Sequence, residues 1–181
     1  MKAIVLLSGC LVACARRESG GAAAISPDSA VVFVQRFYDW YVPLGKQPTS
    51  ATRYDSLARN EHRWFSPDFV AALKNDLEVQ RRDTTGDIVS VTGDYDPFLA
   101  SQDPCERYQA RDPRTVAAAL LVSVFPVCAG NAPTSATVLV EVAAGDSGIR
   151  IVNFRNPGDP KSDLRRELAK TRRDLVHRHP D

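Results

Sequence analysis

The hydrophobic pattern of this 181-residue chain changes period once, near residue 88, and that change restricts the fold more than any other feature. Before it, Ala30, Phe33, Val34, Phe37, Tyr38 and Tyr41 recur at three- and four-residue steps, the spacing of one helix face. After it, β-branched residues alternate: Val89 and Val91, then Val116, Ala118, Leu120, Val122 and Val124, then Val138, Val140 and Val142. Helices followed by antiparallel strands predict an α+β fold, with the helices covering one face of the sheet.

The helix starts are marked chemically. Ser26-Pro27-Asp28 supplies a capping hydroxyl, a proline at the first helical position and an acid at the positive helix end. That helix is expected to stop at Pro43 and Gly45. Tyr54, Leu57, Ala58 and Glu61 to Phe65 predict a short second helix. Ser66-Pro67-Asp68 then repeats the capping logic for a third, with Phe69, Val70, Leu73 and Leu77 inward and Lys74, Asp76, Glu78, Arg81 and Arg82 toward solvent. A turn is expected at Thr84 to Asp87.

Among the strands, Val116 to Val127 is apolar on both faces except at Ser123. A buried helix is the alternative, but the density of valine and Pro126 favour a central strand covered on both sides. Ala136 to Ala144 and Ile149 to Arg155 flank Gly145-Asp146-Ser147-Gly148, read as a four-residue hairpin loop whose glycines supply positive φ. Pro160 to Arg178 predicts a C-terminal helix with a narrow stripe, Leu164, Leu168 and Leu175, that caps the core. Its Arg165, Arg166, Arg172, Arg173 and Arg178 are balanced by Asp163, Glu167 and Asp174 as a solvated face.

Hydrophobic residues make up 44% of the chain and charged ones 25%, values of an ordinary globular domain, and the formal charge is +1. Without a basic excess there is no electrostatic footprint for nucleic acid. The N-terminus adds a compartment. Met1-Lys2 and the apolar residues 3–13 have the length of a secretory leader and fall short of the roughly 20 residues that span a bilayer. Leu11-Val12-Ala13-Cys14 resembles the lipobox of bacterial lipoproteins. Leu7-Ser8-Gly9-Cys10 fits the same pattern, but cleavage there would leave a very short apolar segment, so Cys14 is the chosen lipidation site. The expected organisation is a signal peptide at 1–13, a lipidated cysteine and flexible tether at 14–25, and a single domain at 26–181. The tether would hold the domain on the order of 20 Å from the membrane. Loss of Lys2 brings the formal charge to zero, so attachment would rest on the acyl chains.

Cys105 and Cys128 remain. In an oxidising compartment they are expected to form a disulfide contributing roughly 3 kcal/mol. No CxxC or HxxxH spacing accompanies them, so no metal and no cofactor is expected. His62 reads as a surface residue, and His177 and His179 as a solvated tail.

Asp94-Tyr95-Asp96-Pro97-Phe98-Leu99-Ala100-Ser101-Gln102-Asp103 resembles the D-x-D-P-F-x-x-x-Q-D signature of a family of bacterial envelope proteins that includes YbjP-type lipoproteins. Phe37-Tyr38-Asp39-Trp40-Tyr41 resembles that family's first-helix pattern, and Gly148 to Phe154 its closing strand. The resemblance implies a nuclear transport factor two-like cone, in which a curved antiparallel sheet wraps the helices and leaves a pocket. It does not imply an activity, because such cones host isomerases, dehydratases and noncatalytic binding domains.

Within the signature, Asp94, Tyr95, Asp96, Gln102 and Asp103 form the densest polar group. A desolvated carboxylate beside a tyrosine can serve as a general base. Asp96-Pro97 and Asp103-Pro104, however, place aspartates where they accept from amides further along a turn, and this structural role is preferred, ligand contact coming second and catalysis last. Ser26, Ser66 and Ser162 read as helix caps, and no G-x-S-x-G elbow exists. The row Phe33, Phe37, Tyr38, Trp40 and Tyr41 is assigned chiefly to the core.

The expectation is therefore an outer-membrane lipoprotein facing the periplasm of a diderm bacterium, binding an unidentified protein or small-molecule partner without chemistry. An isomerase or dehydratase with Asp94 or Asp96 as base is the second expectation, and an inhibitor or immunity-type protein the third.

Overall fold

The structure is a computed structural model that describes residues 24–45, 51–82, 95–129, 135–159 and 161–170, without the side chains of 51–55, 58, 80 and 81. The leader at 1–13, Cys10 and Cys14, most of the tether, the turn at 84–87, Val89, Val91, Asp94, Pro160, Leu175, His177 and His179 lie outside the described residues.

Three helices precede four strands: α1 (Pro27–Leu44), α2 (Ala51–Trp64), α3 (Pro67–Arg82), β1 (Arg107–Val116), β2 (Ala119–Val127), β3 (Val138–Gly145) and β4 (Gly148–Arg155), followed by a short helix, α4, at 164–170. The strands form one antiparallel meander in the order β1-β2-β3-β4. The class is α+β, a curved antiparallel sheet with helices N-terminal to it and one after it.

Ser26 caps α1, its hydroxyl accepting from the Ser29 amide at 3.2 Å, and Ser66 does the same for α3 through the Phe69 amide at 3.3 Å. α1 runs through Pro43 instead of ending there. Pro43, itself exposed in the last turn, forfeits a single backbone bond, which is cheap at a helix end, and Gly45 closes the helix at φ −75°, a conformation open to any residue.

On α1 the buried face is Ala30, Val34, Phe37, Tyr38 and Tyr41. Phe37 is its hub, with ring centroids at 5.3 Å from Tyr41, 5.7 Å from Phe65 and 6.0 Å from Phe154. Phe98 enters the same cluster at 5.0 Å from Phe154. The inner face of the sheet meets these rings with Val122, Val124, Val140, Val142 and Ile151, all fully buried. Each such side chain contributes on the order of 1.5–3 kcal/mol on burial. On α3 the inward stripe is Phe69, Ala72, Leu73, Asp76 and Val79. Val70 and Leu77 pack partly buried beside it, so the expected stripe is present but broader on one side, and Asp76, expected toward solvent, is buried and has an interaction partner.

The expected single strand from Val116 to Val127 is two strands. A turn at Ala117-Ala118, with Ala117 at φ 51°, pairs Val116 with Ala119, and only Ala119–Val127 is the central strand covered on both faces. β1 itself is an edge strand with a bulge between Arg111 and Arg114 that absorbs Asp112, at φ 55°, and Pro113. The β3–β4 hairpin is tighter than expected. Gly145 pairs with Gly148, the loop is Asp146-Ser147, and of the two glycines only Gly148 takes positive φ, at 110°.

Each border of the sheet is paired at one point by the helical layer. On the β1 side, the Gln35 carboxamide donates from Nε2 to the Tyr108 carbonyl at 2.9 Å and accepts at Oε1 from the Ala110 amide at 2.8 Å, as a neighbouring strand would. On the β4 side, Phe65 bridges Ile151, the Ser66 amide donating to the Ile151 carbonyl at 2.9 Å. Cys105 and Cys128, 23 positions apart with Cα atoms at 4.7 Å, form a disulfide that ties the start of β1 to the end of β2.

Candidate functional site

The segment from Tyr95 to Ser101 folds as a loop pinned to α1. Asp96 and Ser101 bridge through two backbone bonds, the Asp96 amide to the Ser101 carbonyl at 3.1 Å and the Ser101 amide to the Asp96 carbonyl at 3.4 Å. Between them the chain reverses, with Ala100 at φ 50°. Because Asp96 precedes a proline its backbone is extended, which brings its carboxylate over the amides beyond the ring. Oδ1 accepts from Phe98 N at 3.0 Å and Leu99 N at 3.2 Å, and Oδ2 accepts from the Tyr41 hydroxyl at 3.0 Å.

Two further tyrosines complete the attachment. The Tyr38 hydroxyl donates to the Phe98 carbonyl at 2.8 Å, and that of Tyr108 to the Leu99 carbonyl at 3.4 Å while accepting from the Cys105 amide. Burial, reinforced by the Asp96 charge and by Tyr108, holds the Tyr38 phenol well above its ordinary pKa of 10. The Tyr95 phenol is also raised, by partial burial first and by Asp96 second. Both phenols stay protonated across the physiological range.

These contacts sort the signature residues. Asp96 is buried and engaged in the fold, Tyr95 stands at the surface with 44% of its area exposed, and Gln102 and Asp103 are exposed beyond the turn. Asp94 lies outside the described residues. The four described ones therefore do not converge as one polar site. Of the aromatic row on α1, Phe37, Tyr38 and Tyr41 are core, and Trp40 is half-buried and stacks on Trp64 at 5.5 Å. His62 is exposed on α2.

What the signature loop does build is one wall of a cleft of about 330 Å³, open to solvent. Tyr95, Pro97 and Ala100 form that wall; Thr137, Val138 and Phe154, at or beside the ends of β3 and β4, form the floor; Asp159, Lys161, Asp163, Leu164 and Glu167 form the other wall. The second wall is suspended from β4 by Asn153, whose Oδ1 accepts from the amides of Phe154 at 2.9 Å and Arg165 at 3.1 Å. Asp163 is the cap of α4, accepting from Arg166 N at 3.0 Å. Ser162, expected as a cap, instead exchanges hydrogen bonds with the Asn156 backbone and closes the preceding loop.

Sequence reasoning missed the cleft. Its local signal was the turn-rich stretch Asn156-Pro157-Gly158-Asp159 placed just before an acidic helix start, which marks a loop where two walls can meet. In comparisons with known proteins, no family model, no curated protein and no solved structure matches this chain.

Proposed function

We propose that this chain is a lipid-anchored protein of the cell envelope, held at the outer membrane through Cys14 and facing the periplasm, whose α+β domain binds a partner or small ligand without chemistry. The observation that carries the binding part is the cleft, where an exposed aromatic, an apolar floor and a charged wall meet in a volume at the lower end of small-ligand sites. The noncatalytic part draws support from Asp96. A general base needs a free lone pair toward substrate, and this carboxylate accepts two backbone amides and a phenol inside the protein. The finer fold assignment, a nuclear transport factor two-like cone, belongs to the same proposal. In it the space inside the sheet is taken by Phe37, Phe65, Phe98 and Phe154, and binding moves to the rim.

Native mass spectrometry of protein extracted gently from its own membranes tests this reading. The expected spectrum is a chain starting at Cys14 with acyl mass, two protons lighter for the disulfide, carrying a retained small molecule or protein. A chain without acyl mass would overturn the anchor, and a retained molecule that the protein chemically converts would overturn the noncatalytic assignment.

A further inference from the structure

The two hairpin tips of the sheet lie at one end of the domain and use opposite turn chemistry. β1 and β3 run toward that end and β2 and β4 run back from it, which puts both Ala117-Ala118 and Asp146-Ser147 there. The β3–β4 tip has what a tight turn favours, aspartate and serine between glycines, with the positive φ on Gly148. The β1–β2 tip has alanines instead. Ala117 takes φ 51°, a left-handed conformation that glycine adopts freely and that strains alanine. Arg114, Thr115, Val116, Ala117 and Ala118 are all exposed, Val116 with 50% of its area open to solvent. A strained turn that is also apolar and uncovered points to a contact made by the tip.

The same end of the domain receives the chain from Cys14. Tyr38 stacks on Tyr108 at 5.5 Å, and Gln35, one turn earlier on α1, engages the Tyr108 carbonyl and the Ala110 amide. α1 is therefore antiparallel to β1, and its first residue points toward the tips. From Gln35 back to Pro27 the helix rises about 12 Å, while from Val124, the partner of Ala110, back to Ala119 β2 extends about 17 Å, so the tip reaches at least as far as the start of α1. Cys14 is ten positions before Ala24, the first described residue, a stretch that spans at most about 35 Å. An anchor at Cys14 thus pulls on the end that carries the tips. The cleft is at the opposite end, where Val138 opens β3 and Phe154 lies next to the last residue of β4.

We infer that the β1–β2 tip docks on the lipid surface, with Val116, Ala117 and Ala118 in the interfacial layer and the Arg114 guanidinium at the phosphates of anionic headgroups. Arg114 stands two residues back from Val116, on the outward face of β1 opposite Leu121, and its long stem lets the charge stay at headgroup level while the tip is immersed. The nearest acid in sequence on its own strand, Asp112, lies against Arg111 at 3.7 Å. A tip of this size cannot hold a protein at a membrane alone; joined to acyl chains it is the second signal, and it fixes which end of the domain faces the bilayer. The polar Asp146-Ser147 tip confines the contact to one hairpin. The cleft then opens away from the membrane. This orientation rests on the reading of Cys14 as the anchor.

The test uses the mature protein, purified from its own membranes and reconstituted into vesicles of phosphatidylethanolamine and phosphatidylglycerol at about 3:1. One added cysteine carries a nitroxide, at Val116→Cys on the tip or at Pro157→Cys, exposed at the cleft end. The disulfide and the acylated Cys14 take no label. At 116 the collision rate with oxygen is expected to exceed that with a water-soluble nickel chelate by about threefold or more, and at 157 the order should reverse. Because a label can drive its own insertion, Ala118→Cys is read with and without Val116→Asp, which should raise chelate access at 118 about threefold. Labels at 116 and 118 that stay in water on protein floating with the vesicles overturn the tip contact and leave the anchor standing. Immersion at 157 overturns the orientation. Spin–spin broadening at 116 places a second copy on the tip and overturns the lipid assignment, and equal immersion in vesicles of phosphatidylcholine alone overturns the role of Arg114. Protein that does not float with the vesicles overturns the anchor, and the orientation falls with it.

Discussion

The Tyr41 hydroxyl donates to Asp96 Oδ2 at 3.0 Å, joining α1 to a loop 55 positions further along the chain. The contact is buried, so neither partner can be lost without leaving polar atoms short of hydrogen bonds. Tyr41→Phe should lower stability by about 1–3 kcal/mol, and Asp96→Ala, which also removes the acceptor of two amides, by more than that. Asp96→Asn keeps one acceptor oxygen and should fall between. Urea unfolding of the three variants checks the order, and equal stability of Asp96→Ala and wild type would remove Asp96 from the fold's supports.

Alkaline pH should unfold the domain through Tyr38. Its folded-state pKa is raised above the ordinary 10, so the unfolded chain holds fewer phenolic protons than the native one above that pH. Stability is then fully present below about pH 10 and declines as pH rises through the folded-state value. Tyr95 shifts in the same direction but is largely exposed and adds little. Absorbance at 295 nm and denaturation between about pH 8 and pH 12 should show Tyr38 ionising only with unfolding, and Tyr38→Phe should flatten the decline.

Gln35 guards the border of β1, and its removal is expected to have two effects. Gln35→Leu leaves the Tyr108 carbonyl and the Ala110 amide unpaired, at a cost of about 1–3 kcal/mol each if they stay dry. It also uncovers a strand edge available to a second copy. Size-exclusion chromatography should register dimers or larger species for this variant, and a purely monomeric Gln35→Leu protein would show that the edge is covered by something else. Gln35→Glu should be intermediate, because the carboxylate still accepts from Ala110 but has no N–H for Tyr108.

Replacing Cys105 and Cys128 by alanine should cost roughly 3 kcal/mol, a fall of about 6–12 °C in Tm. Calorimetry of the double variant checks this, with wild type under reducing conditions expected to follow it. A change below about 1 kcal/mol would mean that the β1–β2 pairing holds the same ends together unaided.

What was legible in the sequence was local. Ser26-Pro27-Asp28 and Ser66-Pro67-Asp68 announce α1 and α3 because capping groups and first-turn residues act within four positions. Asp96 before Pro97 likewise betrays its turn role. β1 was hidden because an edge strand facing solvent can be as polar as Arg107 to Val116, and because Ala117-Ala118 turns the chain without a glycine or asparagine. Asp76 was misplaced because a carboxylate on a helix reads as solvated from its sequence neighbours, and its burial is decided by how α3 docks on the core. The cleft was illegible for a related reason: one wall comes from Tyr95, Pro97 and Ala100 and the other from residues on either side of Leu164, and only the sheet between them brings those stretches together.

The wide separation of contacts along the chain also bears on how the protein is made. α1 is synthesised before everything it packs against: Tyr38 waits 60 residues for Phe98, and Gln35 waits 75 for Ala110. At roughly 5–20 residues per second, Phe37 and Trp40 can meet Phe65 and Trp64 within seconds, whereas the surface around Tyr38 and Gln35 waits on the order of ten seconds at the slow end of synthesis. During that interval the α1 face destined for Phe98 and the sheet has only the Trp64 and Phe65 contacts to shelter it, so substitutions that loosen the α1–α2 pair should lower the yield of folded protein more than they lower the stability of the finished domain.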